Sequence, residues 1–365
     1  MTKPPYRVPT MKEVESLKWN GFNAVSTFSG CGGSCLGLRM AGFRTLYASE
    51  FIPAAIETYK ANHPKVHLDT RDIRQILPSD ILKHVPKGQE VDLMEGSPPC
   101  AAFSIAGGRS KQWGEIKQYS DTKQRVDDLF DEFIRLVKGV KPRVFVMENV
   151  AGLTQGVARG FLNECLESMR SLGYQVEVRL LDAQFLGVPQ TRQRVIFQGV
   201  RNDLKKKPVW PKPFSYTYSL REAIPESVRL NEFGPDIQGE IKQTTYKGAL
   251  IIPHTKIQKT NSVKRIEYVK GMTYASFKDK GGSHSLDKPS PTILANCDCM
   301  EKHVKSGWTT MRKRLSLREL KLLCSFPDDF ISTGDSYRKQ WERFGRSVPP
   351  LMMRAIGATI RDELL

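Results

Sequence analysis

The 365-residue sequence predicts an open, doubly wound α/β sheet with helices on both faces, joined to a second, smaller and irregular unit. Three observations predict it. Short apolar runs alternate with amphipathic stretches over the first 200 or so residues, the pattern of a mostly parallel sheet. A glycine-rich turn, FSGCGG at 28–33, stands between the first run and the first amphipathic stretch. The composition then changes after Val200, where DLKKKPVWPKPF reads as a Lys- and Pro-rich linker and clear helical spacing is lost until RLSLRELKLLCSF.

The elements follow in order. Residues 24–29 (AVSTFS) read as a buried strand, LGLRMAGF as a helix, and TLYASE as a second strand ending on Glu50. Helical spacing runs over 53–62 and again over 73–84. VDLMEG at 91–96 is the next apolar segment. DDLFDEFIRLVK at 127–138 is amphipathic, RVFVMENV is a strand, and 160–172 is helical. YQVEVRLLDA and RVIFQGV read as late strands. RLSLRELKLLCSF is a helix ended by Pro327, and VPPLMMRAIGATIRDELL is a terminal helix with proline at its start. The expected division is 1–204 with 335–365 as one domain and 205–334 as the smaller one, most variable over 205–290.

The charge narrows the function. The chain carries 56 Lys and Arg against 39 Asp and Glu, a net +17, which points to a polyanionic partner, nucleic acid before membrane. Residues 201–313 hold 21 of the cations and 11 of the anions, a local +10. At 39% hydrophobic residues the chain can bury a core, which argues against a disordered polycation. No run approaches the ~18 apolar residues of a spanning helix. The N-terminal stretch has no signal-peptide core, so a cytoplasmic, reduced protein is expected. Seven cysteines in no framework spacing fit neither a disulfide scaffold nor a zinc site.

Four constellations carry chemistry. FSGCGG lets the backbone turn tightly and approach a ligand closely, although such a turn also occurs for purely structural reasons. Glu50, about 20 positions on and at a strand end, is placed to hold ribose hydroxyls, and Asp72 to meet an adenine amino group. The phosphate-loop pattern GxxxxGK[ST] is absent, which disfavours ATP or GTP. GSPPC at 96–100 ends an apolar strand with two prolines before Cys100, giving a rigid thiol of nucleophile type. Glu148, in ENV, closes RVFVM, where partial burial suits proton donation; a surface strand-end Glu is the bland alternative. In QTRQR, alternation along a strand would put Gln190, Arg192 and Arg194 on one face to grip a carbonyl oxygen or a phosphate.

FSGCGG, Glu50, Asp72, GSPPC, ENV, QTRQR, RELKLLCSFPDDF and GRSVPP occur in that order. The set resembles the cytosine-C5 DNA methyltransferase family, from about residue 24 to 360, interrupted near 205–290. The resemblance implies an S-adenosylmethionine-dependent methyltransferase (Rossmann-like) sheet with a small DNA-recognition domain. It implies S-adenosyl-L-methionine as cofactor, S-adenosyl-L-homocysteine as product and no metal. Cys100 is then the thiolate that adds to C6 of a flipped cytosine, and Glu148 holds N3 and the exocyclic amine. Arg192 and Arg194 hold the base carbonyl and a flanking phosphate. Phe28, Gly30 and Gly32 line the methionine side of the cofactor and Glu50 its ribose. Phe51 packs on the adenine, Asp72 and Ile73 meet its edge, and Pro99 and Leu129 close the pocket. Val348 returns to the cofactor from the C-terminal segment. Ala101 to about Tyr119, with Gly107, Gly108 and Lys111, forms a mobile loop, and Ser104 and Gln190 contact DNA.

Two positions depart from the family pattern: Ala101 where Gln is usual, and Arg346 where Asn is usual in GNSVPP. The implied partner is double-stranded DNA read by a monomer, in a prokaryotic modification enzyme with a possible separately encoded restriction endonuclease. The aromatic residues Trp210, Tyr216, Tyr218, Tyr246, Tyr268 and Tyr274 lie in the expected recognition region. A tRNA cytosine-5 methyltransferase of the same fold and a catalytically silent DNA-binding relative are the alternatives.

Overall fold

Ala24 and Val25 are adjacent in the chain, fully buried, and on opposite faces of one sheet, the requirement of a doubly wound fold. The computed structural model describes residues 3–99, 117–119, 122–124, 128–154, 158–232, 234, 244–246, 249–251, 272–276, 283–295, 300–306 and 309–365. The central sheet holds seven of the strands: β1 (Asn23–Thr27), β2 (Arg44–Ser49), β3 (His67–Asp69), β4 (Leu93–Gly96), β7 (Val144–Val150), β8 (Tyr174–Asp182) and β9 (Gln193–Arg201). A two-stranded ribbon, β5 (Lys117–Tyr119) with β6 (Thr122–Gln124), precedes β7 in the chain. The sheet order is β3-β2-β1-β4-β7-β9-β8. All neighbouring pairs are parallel except β7 with β9 and β8 with β9. The order reverses between β1 and β4, so their C-terminal ends flank the crevice where such sheets bind ligands.

The two faces bury different cores. Ala24, Leu93, Val144, Val146 and Ile196 face one cluster with α2 (Gly33–Met40), α9 (Leu317–Leu323), α10 (Tyr337–Arg346) and α11 (Pro350–Glu363). Val25, Met94, Phe145, Met147, Val195 and Phe197 face the other, with α5 (Leu129–Val140) and α6 (Ala158–Ser171). The remaining helices are α1 (Met11–Ser16), α3 (Pro53–Asn62), α4 (Pro78–Leu82), α7 (Leu220–Ala223) and α8 (Glu226–Asn231). Beyond the main sheet, β10 (Thr244–Tyr246) pairs with β11 (Ala249–Ile251). A four-stranded sheet joins β12 (Met272–Ser276), β13 (Ser283–His284), β14 (Met300–Ser306) and β15 (Thr309–Arg314) in the order β13-β12-β14-β15.

One expectation changes. The helix read over 73–84 is broken into a short 3-10 turn, Ile73–Gln75, and α4. Pro78 explains the break: it has no N–H to donate, and it drives Leu77 into the extended region (φ −94°, ψ 151°). Leu315, Leu320, Leu323, Phe326 and Phe330 share one apolar cluster with Ala24 and Val146 of the main sheet, as do Leu220, Ile224 and Ile293.

A close helix contact ties α2, which follows the glycine turn, to the C-terminal helix α11. A Cβ on Gly37 of α2 would lie 2.4 Å from the Pro350 carbonyl oxygen, 2.7 Å from Met353 Cβ and 2.9 Å from Arg354 N. Alanine favours a helix interior by about 1 kcal/mol over glycine. Here two of the three obstructing atoms are backbone, so α2 and α11 would have to part. Gly37→Ala is therefore expected to destabilise the fold by about 1–3 kcal/mol, read as a lower urea midpoint. An unchanged or higher midpoint would contradict this packing account.

Candidate active site

Three residues of the glycine turn adopt left-handed backbone: Phe28 (φ 54°), Gly30 (φ 56°) and Gly32 (φ 92°). Glycine takes this conformation without strain, whereas Phe28 does so against its Cβ, the kind of local strain that functional turns hold. The turn carries the chain from β1 into α2, with Ser29 N donating to the Ser49 carbonyl at 3.0 Å and Gly32 N to the Ser29 carbonyl at 2.9 Å. Gly30 N donates to Glu50 Oε2 at 2.7 Å, and Phe51 N and Ile52 N donate to Glu50 Oε1 at 2.7 Å each. Glu50 is thus clamped at the end of β2. Burial raises its carboxyl pKa against the pull of these three amides and of Arg343.

A cleft opens beside it, lined by Phe28, Ser49, Glu50, Phe51, Ile52, Arg71, Asp72, Ile73, Pro99 and Leu129. Seven of the expected cofactor residues are brought together here: Phe28, Glu50, Phe51, Asp72, Ile73, Pro99 and Leu129. Gly30 instead lines an adjoining cleft. Gly32 caps α2, and a Cβ there would run into the His63 ring at 2.3 Å. Val348 is buried, with its carbonyl against Gly33. Asp72 caps the Ile73–Gln75 turn and pairs with Arg74 at 3.0 Å. Apolar and aromatic walls with carboxylates at two points suit a flat base joined to a diol, which is the chemistry of a nucleoside.

The second group lies at the C-terminal ends of β4 and β7 and the N-terminal end of the antiparallel β9. Glu148 accepts from Arg194 Nε at 2.6 Å, with both side chains nearly buried. Val150 and Arg194 are register partners across β7 and β9, so the antiparallel pairing itself sets this ion pair. The neighbouring Asn149, 4% exposed, donates through Nδ2 to the Pro98 carbonyl at 3.3 Å. ENV therefore holds the Pro-Pro segment on one side and the arginine strand on the other. Cys100, Ser104, Ala101, Gly107, Gly108 and Lys111 lie outside the described residues.

Gln190 and Arg192 are corrected. The strand begins at Gln193, so only Arg194 of the three is on it. Gln190 is fully buried, receives Ile293 N at 3.0 Å on Oε1 and donates to the Leu323 carbonyl at 3.2 Å. Arg192, 1% exposed, donates to the carbonyls of Ile293, Gly345 and Ser347 at 2.8–3.0 Å. Gln190 thus ties the 290–293 segment to α9, and Arg192 ties it to the GRSVPP segment. Two aromatics of the expected recognition region are likewise engaged within the protein: Trp210 donates to Glu177 at 3.0 Å, and Tyr218 donates to the Pro4 carbonyl at 3.0 Å.

One buried carboxyl was not anticipated. Glu95 of β4 is 1% exposed and directly opposite Ser26 of β1 in the register. It accepts the Ser26 hydroxyl, which in turn meets Ser29 Oγ at 2.7 Å in the glycine turn. Burial pushes its pKa up to about 8. The sequence signal is present, an acid flanked by Leu93, Met94 and Gly96 in the segment VDLMEG, but its inward direction is set only by the pleat.

The reversal at β1/β4, the antiparallel β9 between β7 and β8, and a nucleoside-shaped cleft at the switch point define a Rossmann-like methyltransferase of the S-adenosylmethionine-dependent fold. Comparison with known proteins gives the family. The model of the C-5 cytosine-specific DNA methylase family matches residues 22–362, and the chain belongs to that family. It is similar to the Type II methyltransferase M.NgoPII of Neisseria gonorrhoeae, 29% identical over 371 residues that span 97% of this chain and 99% of the relative. It is also similar to the Type II methyltransferase M1.HphI of Haemophilus parahaemolyticus, 30% identical over 92% of this chain and 86% of the relative. Among solved structures, a DNA modification methyltransferase encoded within an E. coli prophage shares the fold with a TM-score of 0.65 at 20% identity, covering 94% of this chain and 99% of its own. Spodoptera frugiperda DNMT2 shares it with a TM-score of 0.60 at 17% identity, covering 92% and 98%.

Among the described residues no group of three or more His, Cys, Asp or Glu is placed to hold a metal. No described helix is long and apolar enough to cross a membrane.

Proposed function

We propose that this chain methylates C5 of cytosine in double-stranded DNA, as a modification enzyme of the restriction-modification type. The observation that carries the reading is the convergence at β7: adjacent residues Glu148 and Asn149 engage Arg194 and the Pro98 carbonyl. Three motifs separated in sequence thereby meet at one end of the sheet, two residues before Cys100.

S-adenosylmethionine, when bound, supplies the methyl group. Phe28, Phe51, Ile73, Pro99 and Leu129 would hold its adenine, with Asp72 at the edge and Glu50 on the ribose. The target carbon is out of reach inside a duplex, so the cytosine must leave the stack. Cys100 adds as thiolate to C6, forming the S–C6 bond and moving the C5–C6 π pair towards C5. Glu148 holds the N3 edge and gives N3 a proton, which neutralises charge that would otherwise build on the ring. Arg194 orients Glu148 and keeps positive charge at the site. After C5 has gained the methyl, loss of its proton to solvent drives elimination and frees the Cys100 thiolate. The +10 excess over 201–313 supports phosphate contacts by the smaller region, which we assign to recognition within 205–334.

The test uses duplex DNA in which 5-fluorocytosine replaces cytosine, so that the C5 substituent cannot leave. With S-adenosylmethionine, the protein is expected to form a covalent adduct that survives denaturing gels, and labelled methyl is expected on unmodified duplex DNA. No adduct and no label would overturn the reading, and label on tRNA alone would move the substrate to RNA.

A further inference from the structure

Glu95, buried on β4, has no part in the steps assigned to Cys100 and Glu148, yet it stands one strand away from Glu148. Across β4 and β7, Leu93 is the register partner of Val144, Glu95 of Val146 and Gly96 of Met147. Leu93, Val144 and Val146 all pack into one apolar cluster. Glu95 alternates with Leu93 and Glu148 with Val146, so both carboxyls emerge on that face of the sheet. With strands about 4.8 Å apart and about 3.3 Å of rise per residue, the two Cα atoms lie about 8 Å apart. Two glutamate side chains span such a distance directly or across one hydroxyl.

We propose that Glu95 and Glu148 hold one proton between them, and that Glu95 supplies, through Glu148, the proton taken up by N3 of the flipped cytosine. The inference deepens the proposed function and rests on it. Glu95 touches no substrate; it is a positioning residue that sets where the proton stands.

The demand comes from Glu148. Arg194 Nε lies 2.6 Å from Glu148 Oε1, with both side chains nearly buried. An ion pair holds Glu148 as a carboxylate, and a carboxylate has no proton to give. Glu95 has one. The groups that face it are Ser26 of β1, Ser34 and Cys35 of α2, Tyr59 of α3 and Glu148 itself. None is a cation, and burial keeps the Glu95 carboxyl protonated up to about pH 8. Cys35 is pushed up to about 12 and Tyr59 well above its ordinary value, so both stay neutral where the enzyme works. Neighbouring carboxyls of this kind titrate as a pair.

The two oxygens of Glu95 differ. Oε1 accepts the Ser26 hydroxyl, whereas Oε2 is buried and has no hydrogen-bond partner. Oε2 is thus the oxygen free to carry the proton and release it. Ser97 Oγ is also buried without a partner, and Ser97 and Glu148 directly follow the register pair Gly96 and Met147. A hydroxyl there can take the proton from Oε2 and release its own to Glu148. As the S–C6 bond forms, the proton passes from Glu95 to Glu148 to N3, leaving Glu95 a carboxylate. When the C5 proton leaves to solvent and the thiolate is expelled, N3 returns its proton by the same path. Over a turnover the pair neither gains nor loses a proton.

The competing reading is a purely structural carboxyl, because Ser26 joins Glu95 to Ser29 of the glycine turn. Single-turnover methyl transfer to duplex DNA at saturating S-adenosylmethionine separates the two, measured from about pH 6 to about pH 8.5. Glu95→Gln keeps the shape and the neutral charge but has no proton to give. Glu95→Asp keeps an acid on a shorter arm. Glu95→Gln is expected to be near wild type at about pH 6, where solvent supplies the proton, and at least about tenfold slower at about pH 8. Its affinities for DNA and S-adenosylhomocysteine should change less than about threefold. Glu95→Asp is expected to outpace Glu95→Gln at the alkaline end. The Cys100 thiolate grows with pH in all three proteins alike, so the ratio of rates isolates the proton.

A ratio of wild type to Glu95→Gln that does not change with pH overturns the proposal. So does Glu95→Gln outpacing Glu95→Asp at the alkaline end, the order set by shape alone. Wild type without methyl transfer at any pH would instead sink the function on which the proposal rests.

Discussion

Replacing Glu148 by Gln is expected to slow methyl transfer about 10²- to 10⁴-fold, the usual span for a lost general acid, with S-adenosylhomocysteine binding changed only a few-fold. The amide can still donate a hydrogen bond but cannot give N3 a proton. It also loses the ion pair with Arg194. The defect should appear in the single-turnover rate at saturating DNA, because the interaction strengthens as charge develops on the ring. Cys100→Ser is expected to abolish both methyl transfer and the adduct with 5-fluorocytosine DNA, since a serine hydroxyl is a far weaker nucleophile at neutral pH than a cysteine thiolate. A Glu148→Gln rate within about threefold of wild type would remove the carboxylate from the chemistry. Methyl transfer retained by Cys100→Ser would do the same for the thiol.

What was legible in the sequence follows the range of the forces involved. Strand-end functional groups were visible because a few adjacent residues impose them. The glycines at 30 and 32 are needed for left-handed backbone, and Glu50 must end β2 to meet the amides of Gly30, Phe51 and Ile52. The cleft beside Glu50 assembles from such groups, and seven of the ten residues that the resemblance assigns to the cofactor line it. Gln190 and Arg192 were misread because their partners are remote. Ile293 is about a hundred residues away and Gly345 and Ser347 about half as far again, and no local period announces such a contact. Alternation also does not govern residues 190–192, because the strand starts at Gln193. Asn149 was visible as part of ENV, but its tie to Pro98 depends on β4 and β7 being neighbours, which only the sheet order establishes. Glu95 is the same kind of case, since its meaning comes from the strand beside it.

The Glu95 carboxyl should make stability fall with pH between about 4.5, its ordinary value, and about 8, its value in the fold. Burial is the main cause of the shift, with Glu148 adding repulsion, and the Ser26 and Ser34 hydroxyls only partly offsetting it. Below the lower value both folded and unfolded chains are protonated, and the group contributes no slope. Between the two, the unfolded chain releases its proton while the folded chain keeps it. Fewer protons are then bound in the unfolded state, and stability drops by ~1.4 kcal/mol per pH unit. Above about 8 the loss is complete, with a charge buried under the glycine turn. Other buried groups overlay this curve. His63, pushed down to about 4 by burial, makes stability rise with pH from there towards its ordinary 6.5, while Cys31 and Cys35, near 12, titrate far above the window. The comparison must therefore be with Glu95→Gln, which keeps the shape and an acceptor for Ser26 but cannot ionise. The variant is expected to match wild type near pH 4.5 and to exceed it by a few kcal/mol at pH 8, read from urea midpoints. An amide N–H left without a partner would add an offset, but the same offset at both pH values. A difference between variant and wild type that does not grow with pH would show that Glu95 is ionised in the fold, and that the β1–β4 junction beneath the glycine turn already tolerates its charge.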